Sequence, residues 1–236
     1  EPVAKLGKRL LGWGQRTFYE KGMETSVTGK HSIPKNENFL VAANHSSHLD
    51  AGLVKTALGE YGRNLVTLAA RDYFFDDGLR RTYFQNFTNV IAIERHGAVK
   101  QSLRRALHTL KSGRNLLLFP EGTRSDTGEM APFKTTVGYL ALQSRRPVLP
   151  MYLSGTHQAM PKGALLLPAS RQIGCRIGPA LTWHHFKQLE KGRPRNEVYR
   201  LCALLVERSV GALRDRGHYE PMELVESLLT DFPVKV

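Results

Sequence analysis

Short apolar runs recur along the chain, each followed by a polar or helix-patterned stretch. Phe39–Ala43, Leu65–Ala69, Val90–Ile93, Leu116–Phe119 and Val148–Tyr152 read as strands, with Gln172–Ile177 as a later candidate. Between them, Val99–Leu110 and Val137–Ser144 place apolar residues at helical spacing. Alternation of this kind predicts an α/β fold, with a mainly parallel central sheet flanked by helices. In such sheets ligands sit at the C-terminal ends of the strands, so chemistry is to be sought just after each apolar run.

The ends of the chain carry a different pattern. Val3, Leu6, Leu10, Trp13 and Thr17 step by three and four, with Lys5, Lys8, Arg9 and Arg16 largely elsewhere around the turn. This predicts an N-terminal amphipathic helix with a basic polar face, weakened by Gly7, Gly12 and Gly14. Two readings stand: a surface helix packed on the domain, or an interfacial helix on anionic lipid, helped by Trp13 and Phe18. Residues 196–216 predict a second amphipathic helix, and residues 219–231 a short one after Pro221, giving a helical C-terminal tail. The expected organisation is one domain over 1–236. Residues 1–30 form its N-terminal helical segment, 31–190 an α/β core and 191–236 the tail, with an exposed loop at Lys187–Arg195. Residues 71–88 mix six aromatics with Arg71, Arg80 and Arg81. They fit a base-stacking surface, an acyl- or membrane-contacting flap, or core.

Charge narrows the partners. Lys and Arg total 34 against 21 acidic residues, a formal charge of +13. Such a balance points to nucleic acid, phosphorylated small molecules or an anionic bilayer, without choosing among them. Cys175 and Cys202 stand singly in apolar contexts, as buried thiols of a reducing compartment do. No run of about eighteen apolar residues, long enough to span a bilayer, is present. The chain opens on Glu1 rather than Met, and the expectation is an excised piece, the transferring part of a larger polypeptide included.

Candidate chemistry follows the strands. Asn44-His-Ser-Ser-His-Leu-Asp50 comes directly after Phe39–Ala43. Imidazole is the default general base near neutrality, and a neighbouring carboxylate fixes its tautomer. His45 and Asp50 supply that pair; alone, it is as compatible with a structural hydrogen bond. Phe119-Pro-Glu-Gly-Thr-Arg-Ser125 follows another strand. Gly122 allows close approach of a ligand, Glu121 accepts hydrogen bonds, and Arg124 offers a fork for phosphate. Arg95 ends a third apolar run.

Together these motifs resemble the PlsC-type glycerol-phosphate and lysophosphatidate acyltransferase superfamily. Asn44, His45 and Asp50 match its N-H-x4-D motif. Ile91, Ile93 and Arg95 match G-x-I-x-I-x-R, with Asn89 in place of the Gly. Phe119–Ser125 match F-P-E-G-T-R-S, and Pro147–Pro150 with Gly155 match a fourth, strand-borne motif. Pro132-Phe-Lys134 departs from the usual Lys-x-Gly continuation, with Thr135 and Thr136 following and Gly138 later.

The resemblance implies transfer of a fatty acyl group from an acyl-CoA or acyl carrier protein thioester to a hydroxyl of a phosphorylated glycerol or lysolipid acceptor. His45 and Asp50 would be catalytic. Asn44, Arg95, Glu121, Gly122, Thr123, Arg124 and Lys134 would bind substrate, while the sequence identifies no oxyanion donors. His48 fails the motif spacing and reads as a structural neighbour. No metal or other cofactor is implied. The resemblance also implies peripheral attachment to the cytoplasmic face of an anionic membrane. It accounts for the basicity without nucleic acid, for which no recognised motif is present. Alternatives of other kinds are a specialised lipid or natural-product acceptor, or an inactive membrane- or carrier-binding module; an intact first motif argues against the latter.

Overall fold

The computed structural model describes residue 14 and residues 17–70, 90–93, 99–164 and 168–234. The N-terminal amphipathic pattern lies largely outside the described residues, as do the aromatic–arginine run at 71–88, Asn89 and Arg95. Within them, strands β1 (Glu24–Thr28), β2 (Leu40–Ala43), β3 (Val66–Ala70), β4 (Val90–Ile93), β5 (Leu116–Leu118), β6 (Val148–Ser154) and β7 (Gln172–Ile177) form one sheet, ordered β1-β7-β6-β2-β5-β3-β4. The five strands β6, β2, β5, β3 and β4 run parallel. β7 is antiparallel to β6, and β1 is parallel to β7. The helices are α1 (Asp50–Leu58), α2 (Val99–Lys111), α3 (Thr136–Ser144), α4 (Thr156–Ala159), α5 (Trp183–Gln188), α6 (Arg195–Asp215) and α7 (Pro221–Asp231).

The two-residue period of the strands separates two cores. Leu40, Ala42, Leu116 and Val148 face a cluster that includes Leu110 of α2, Leu140 of α3, Leu205 of α6 and Leu228 of α7. Phe39, Val41, Leu117 and Leu149 face the opposite cluster, with Leu53 and Val54 of α1 and Tyr19. The sheet is thus covered on both faces, as a parallel sheet requires. The C-terminal helices share the first of these cores with the strands. Gly138 permits the close crossing of α3 and α6, because a Cβ there would run into the Tyr199 carbonyl oxygen.

Two elements depart from the sequence reading. β1 is a strand that its polar Glu24-Thr-Ser-Val-Thr28 stretch does not announce; as an edge strand it buries little and needs no apolar run. α5 occupies Trp183–Gln188 and Leu189 is fully buried, so the expected loop at Lys187–Arg195 begins later and is not exposed throughout.

Candidate active site

The parallel strands bring their C-terminal ends to one edge of the sheet. β2 pairs with β5 so that Ala42 lies opposite Leu118, and neighbouring strands are about 4.8 Å apart. Carried three residues on, that register faces His45 with Glu121. The two sequence runs therefore meet side by side.

His45 sits at the centre. Its ring stacks on Phe119, with centroids 3.9 Å apart and planes 11° from parallel. Nδ1 lies 2.8 Å from Asp50 Oδ2, with His45 21% exposed and Asp50 fully buried. Asp50 is the first residue of α1, and its Oδ2 also accepts the N–H groups of Ser46 at 2.7 Å and Ser47 at 2.8 Å. Because a carboxylate only accepts, the bond to Asp50 places the imidazole proton on Nδ1 and leaves the ring's lone pair on Nε2. The short 44–49 loop is held from outside as well. Ser47 Oγ donates to the Met160 carbonyl at 2.7 Å, and Ser46 Oγ lies 3.2 Å from Thr156 Oγ1 on α4.

Both backbone polar groups of His45 are engaged by the 119–125 run. Its N–H donates to Glu121 Oε1 at 2.6 Å, and its carbonyl accepts the Ser125 N–H at 2.8 Å. Glu121 is buried, and Oε2 accepts the Ala131 N–H at 2.8 Å. Burial pushes the Glu121 carboxyl up to about 7; the two N–H donors pull the other way, and the charges of Asp50 and Glu207 add to the rise.

The structure distributes the other expected residues unevenly. Asn44 is buried beneath the site, donating from Nδ2 to the Leu153 carbonyl at 2.9 Å and accepting the Leu153 N–H at 2.7 Å. It thereby ties the end of β2 to β6. Gly122 has φ 76°, and the Lys134 ammonium lies over it where a Cβ would be. Thr123 and Lys134 are exposed and Arg124 is half-buried, all close in sequence to the bonds that hold His45. Arg95 lies outside the described residues. His48 is exposed. No group of His, Cys, Asp or Glu among the described residues could hold a metal ion. Cys175 and Cys202 are buried free thiols far from this chemistry in sequence, and burial pushes both up to about 12.

One participant had no local sequence signal. Glu207, on α6, accepts the Phe133 N–H at 2.7 Å through Oε2. It lies 74 residues away along the chain, and an isolated Glu on an amphipathic helix gives no hint of such a contact.

Residues 24–154 match the family model described as Acyltransferase. The chain belongs to the acyltransferase family. The matched region holds the His45–Asp50 pair, the 119–125 run and β6. Among curated proteins, the chain is 34% identical over 145 residues to a 1-acyl-sn-glycerol-3-phosphate acyltransferase of Limnanthes alba, covering 60% of this chain and 49% of that one. It is 31% identical over 140 residues to the enzyme of that name from Cocos nucifera (59% and 44% covered). With the Homo sapiens 1-acyl-sn-glycerol-3-phosphate acyltransferase alpha, identity is 29% over 140 residues (58% and 47% covered). The chain spans about half the length of the curated relatives it matches. In fold it is similar to the crystal structure of the 1-acyl-sn-glycerophosphate (LPA) acyltransferase PlsC from Thermotoga maritima. That match has a TM-score of 0.65 and 24% identity, covering 90% of this chain and 83% of that one.

Proposed function

We propose that this acyltransferase-family chain moves a fatty acyl group from an acyl-CoA or acyl carrier protein thioester to the free hydroxyl of a 1-acylglycerol 3-phosphate. The observation that carries the reading is the His45–Asp50 pair, with its proton fixed on Nδ1 and its ring clamped against Phe119. Nε2 accepts the proton of the acceptor hydroxyl as its oxygen attacks the thioester carbonyl. The tetrahedral intermediate collapses, the carbon–sulfur bond breaks, and the imidazolium returns the proton to the leaving thiolate. The thioester is already activated, so no acyl-enzyme is needed. General-base assistance of this kind contributes about 10²–10⁴-fold, and holding both substrates together contributes at least as much.

Lys134, whose ammonium lies over Gly122, and Arg124, two residues along from it, are assigned to the acceptor phosphate, together with Arg95; Thr123 borders the same turn. Asn44 and Glu121 are assigned positioning roles, because their side chains are engaged by backbone groups rather than offered to a ligand. The curated relatives' names support the acceptor.

The proposed setting is the cytoplasmic face of an anionic membrane, held peripherally. Among the described residues no helix is long and apolar enough to cross a bilayer. The outer face of α2 exposes Lys100, Arg104, Arg105, His108 and Lys111, and the helix contains no acidic residue. A face of that charge attracts anionic headgroups.

The test is acyl transfer from acyl-CoA and acyl carrier protein donors to a glycerol-phosphate and lysophospholipid panel, with products read by mass spectrometry. His45→Ala is expected to abolish transfer while leaving the circular dichroism unchanged. Full turnover by His45→Ala would refute the mechanism.

A further inference from the structure

We infer that Glu207 is a positioning residue for the acceptor site, acting from the C-terminal helix α6 on the 131–134 segment that carries Lys134. The inference rests on the proposed role of Lys134 toward the acceptor phosphate. Its basis is the accounting of amides in that segment. Ala131 N–H goes to Glu121 Oε2 at 2.8 Å, Phe133 N–H to Glu207 Oε2 at 2.7 Å, and Lys134 N–H to the Pro120 carbonyl at 2.9 Å. Pro132 has no N–H to give. Every amide the segment possesses is therefore committed, and the Phe133 amide goes to the Glu207 carboxylate, which forms the stronger charge-assisted bond.

The three acceptors differ in origin. Glu121 and Pro120 belong to the 119–125 run itself, so they hold the segment to the site but share its motions. Glu207 belongs to a 21-residue helix whose apolar side is buried with the sheet. It references the segment to the rigid body of the fold. Phe133 is buried in the same core, so side chain and amide are fixed at one point, immediately before Lys134. The Lys134 ammonium then falls over Gly122. Glu207 lies beyond the matched region 24–154, which makes the C-terminal tail a part of acceptor recognition rather than only a cover for the sheet.

A merely stabilising Glu207 predicts something different, and a neighbour supplies the control. Arg208, next along α6, directs its guanidinium to α7 rather than to the 131–134 amides, pairing with Asp231 at 2.8 Å and donating to Ser227 at 3.1 Å. Wild type, Glu207→Ala, Glu207→Gln and Arg208→Ala are compared by amide hydrogen exchange of residues 131–134, and by kinetics with acyl-CoA and 1-acylglycerol 3-phosphate. Loss of a charge-assisted bond in Glu207→Ala is expected to speed exchange at Phe133 by about tenfold or more. The acceptor KM should rise about tenfold, with kcat and the donor KM changing less than about threefold. Glu207→Gln keeps an oxygen acceptor and should restore both readouts to within about threefold of wild type. Arg208→Ala should lower the melting temperature and leave both unchanged.

Unchanged exchange in Glu207→Ala overturns the inference. So does an equal rise in both KM values, or an Arg208→Ala variant that reproduces the acceptor effect. A wild type that acylates no acceptor would sink the proposed function instead, and the exchange measurement would still decide whether Glu207 positions the segment.

Discussion

Glu121→Gln is the most informative single substitution at this site, because its effect must change with pH. The wild-type carboxylate accepts one backbone N–H on each oxygen, from His45 and from Ala131. A glutamine has one acceptor oxygen and one NH2, so one of the two amides would meet a donor. Leaving a buried donor unpaired costs about 1–3 kcal/mol. The wild type carries a cost of its own. Its folded-state pKa, about 7, lies above the ordinary 4.5, so the folded protein binds this proton more tightly than the unfolded chain does. The associated stability is fully present below about pH 4.5 and is lost as pH rises through about 7. Integrated over that interval the loss is at most about 3 kcal/mol. Glutamine has no proton to lose and escapes this term. The deficit of Glu121→Gln relative to wild type should therefore shrink by roughly 2–3 kcal/mol between about pH 5 and about pH 8. Urea unfolding of both proteins at the two pH values measures it. A deficit that stays constant, or widens toward pH 8, would show that the two N–H bonds outweigh burial and keep Glu121 ionised throughout.

Other substitutions probe the remaining contacts. Asp50→Asn keeps an oxygen where three donors converge but places an NH2 at the buried Oδ1, which has no hydrogen-bond partner among the described residues. Acyl transfer should fall about 10³-fold or more and stability by about 1–3 kcal/mol, read by turnover and by chemical denaturation. Gly122→Ala forces a side chain into φ 76° and against the Lys134 ammonium; the acceptor KM should rise about tenfold in steady-state kinetics, at a stability cost of about 1–2 kcal/mol. Asn44→Ala strips both backbone groups of buried Leu153 of their partners, and a loss of about 2–4 kcal/mol is expected in urea unfolding. Reversing charge on α2 with Lys100→Glu and Arg104→Glu should weaken sedimentation with anionic vesicles about tenfold or more and leave neutral vesicles unaffected.

What the sequence made legible, and what it hid, follows from the range of each interaction. β2, β5 and most of β6 are short apolar runs because both faces of the central sheet are covered, and burial on both faces is written into composition. β1 escaped notice because an edge strand needs only backbone pairing, which any non-proline residue can supply. The same division runs through the site. His45 and Asp50 were readable as a pair because a strand end followed by a helix start folds a five-residue separation back on itself, and Asp50 at the first position of α1 reaches both the ring and the loop amides. Asn44 and Glu121 were readable as site residues, but the backbone partners that engage their side chains were not. The motif spacing says that they are near His45, whereas the partners that occupy them are backbone groups of Leu153 and of His45 and Ala131. A backbone amide has no identity in a sequence, so a side chain that binds one looks available for substrate. Glu207 is the limiting case, a side chain on one element and an amide on another, 74 residues apart. Where the acceptor of a hydrogen bond is a side chain and the donor is main chain, only the folded path of the chain can show the pair. Half of what holds His45 and Lys134 in place is of that type.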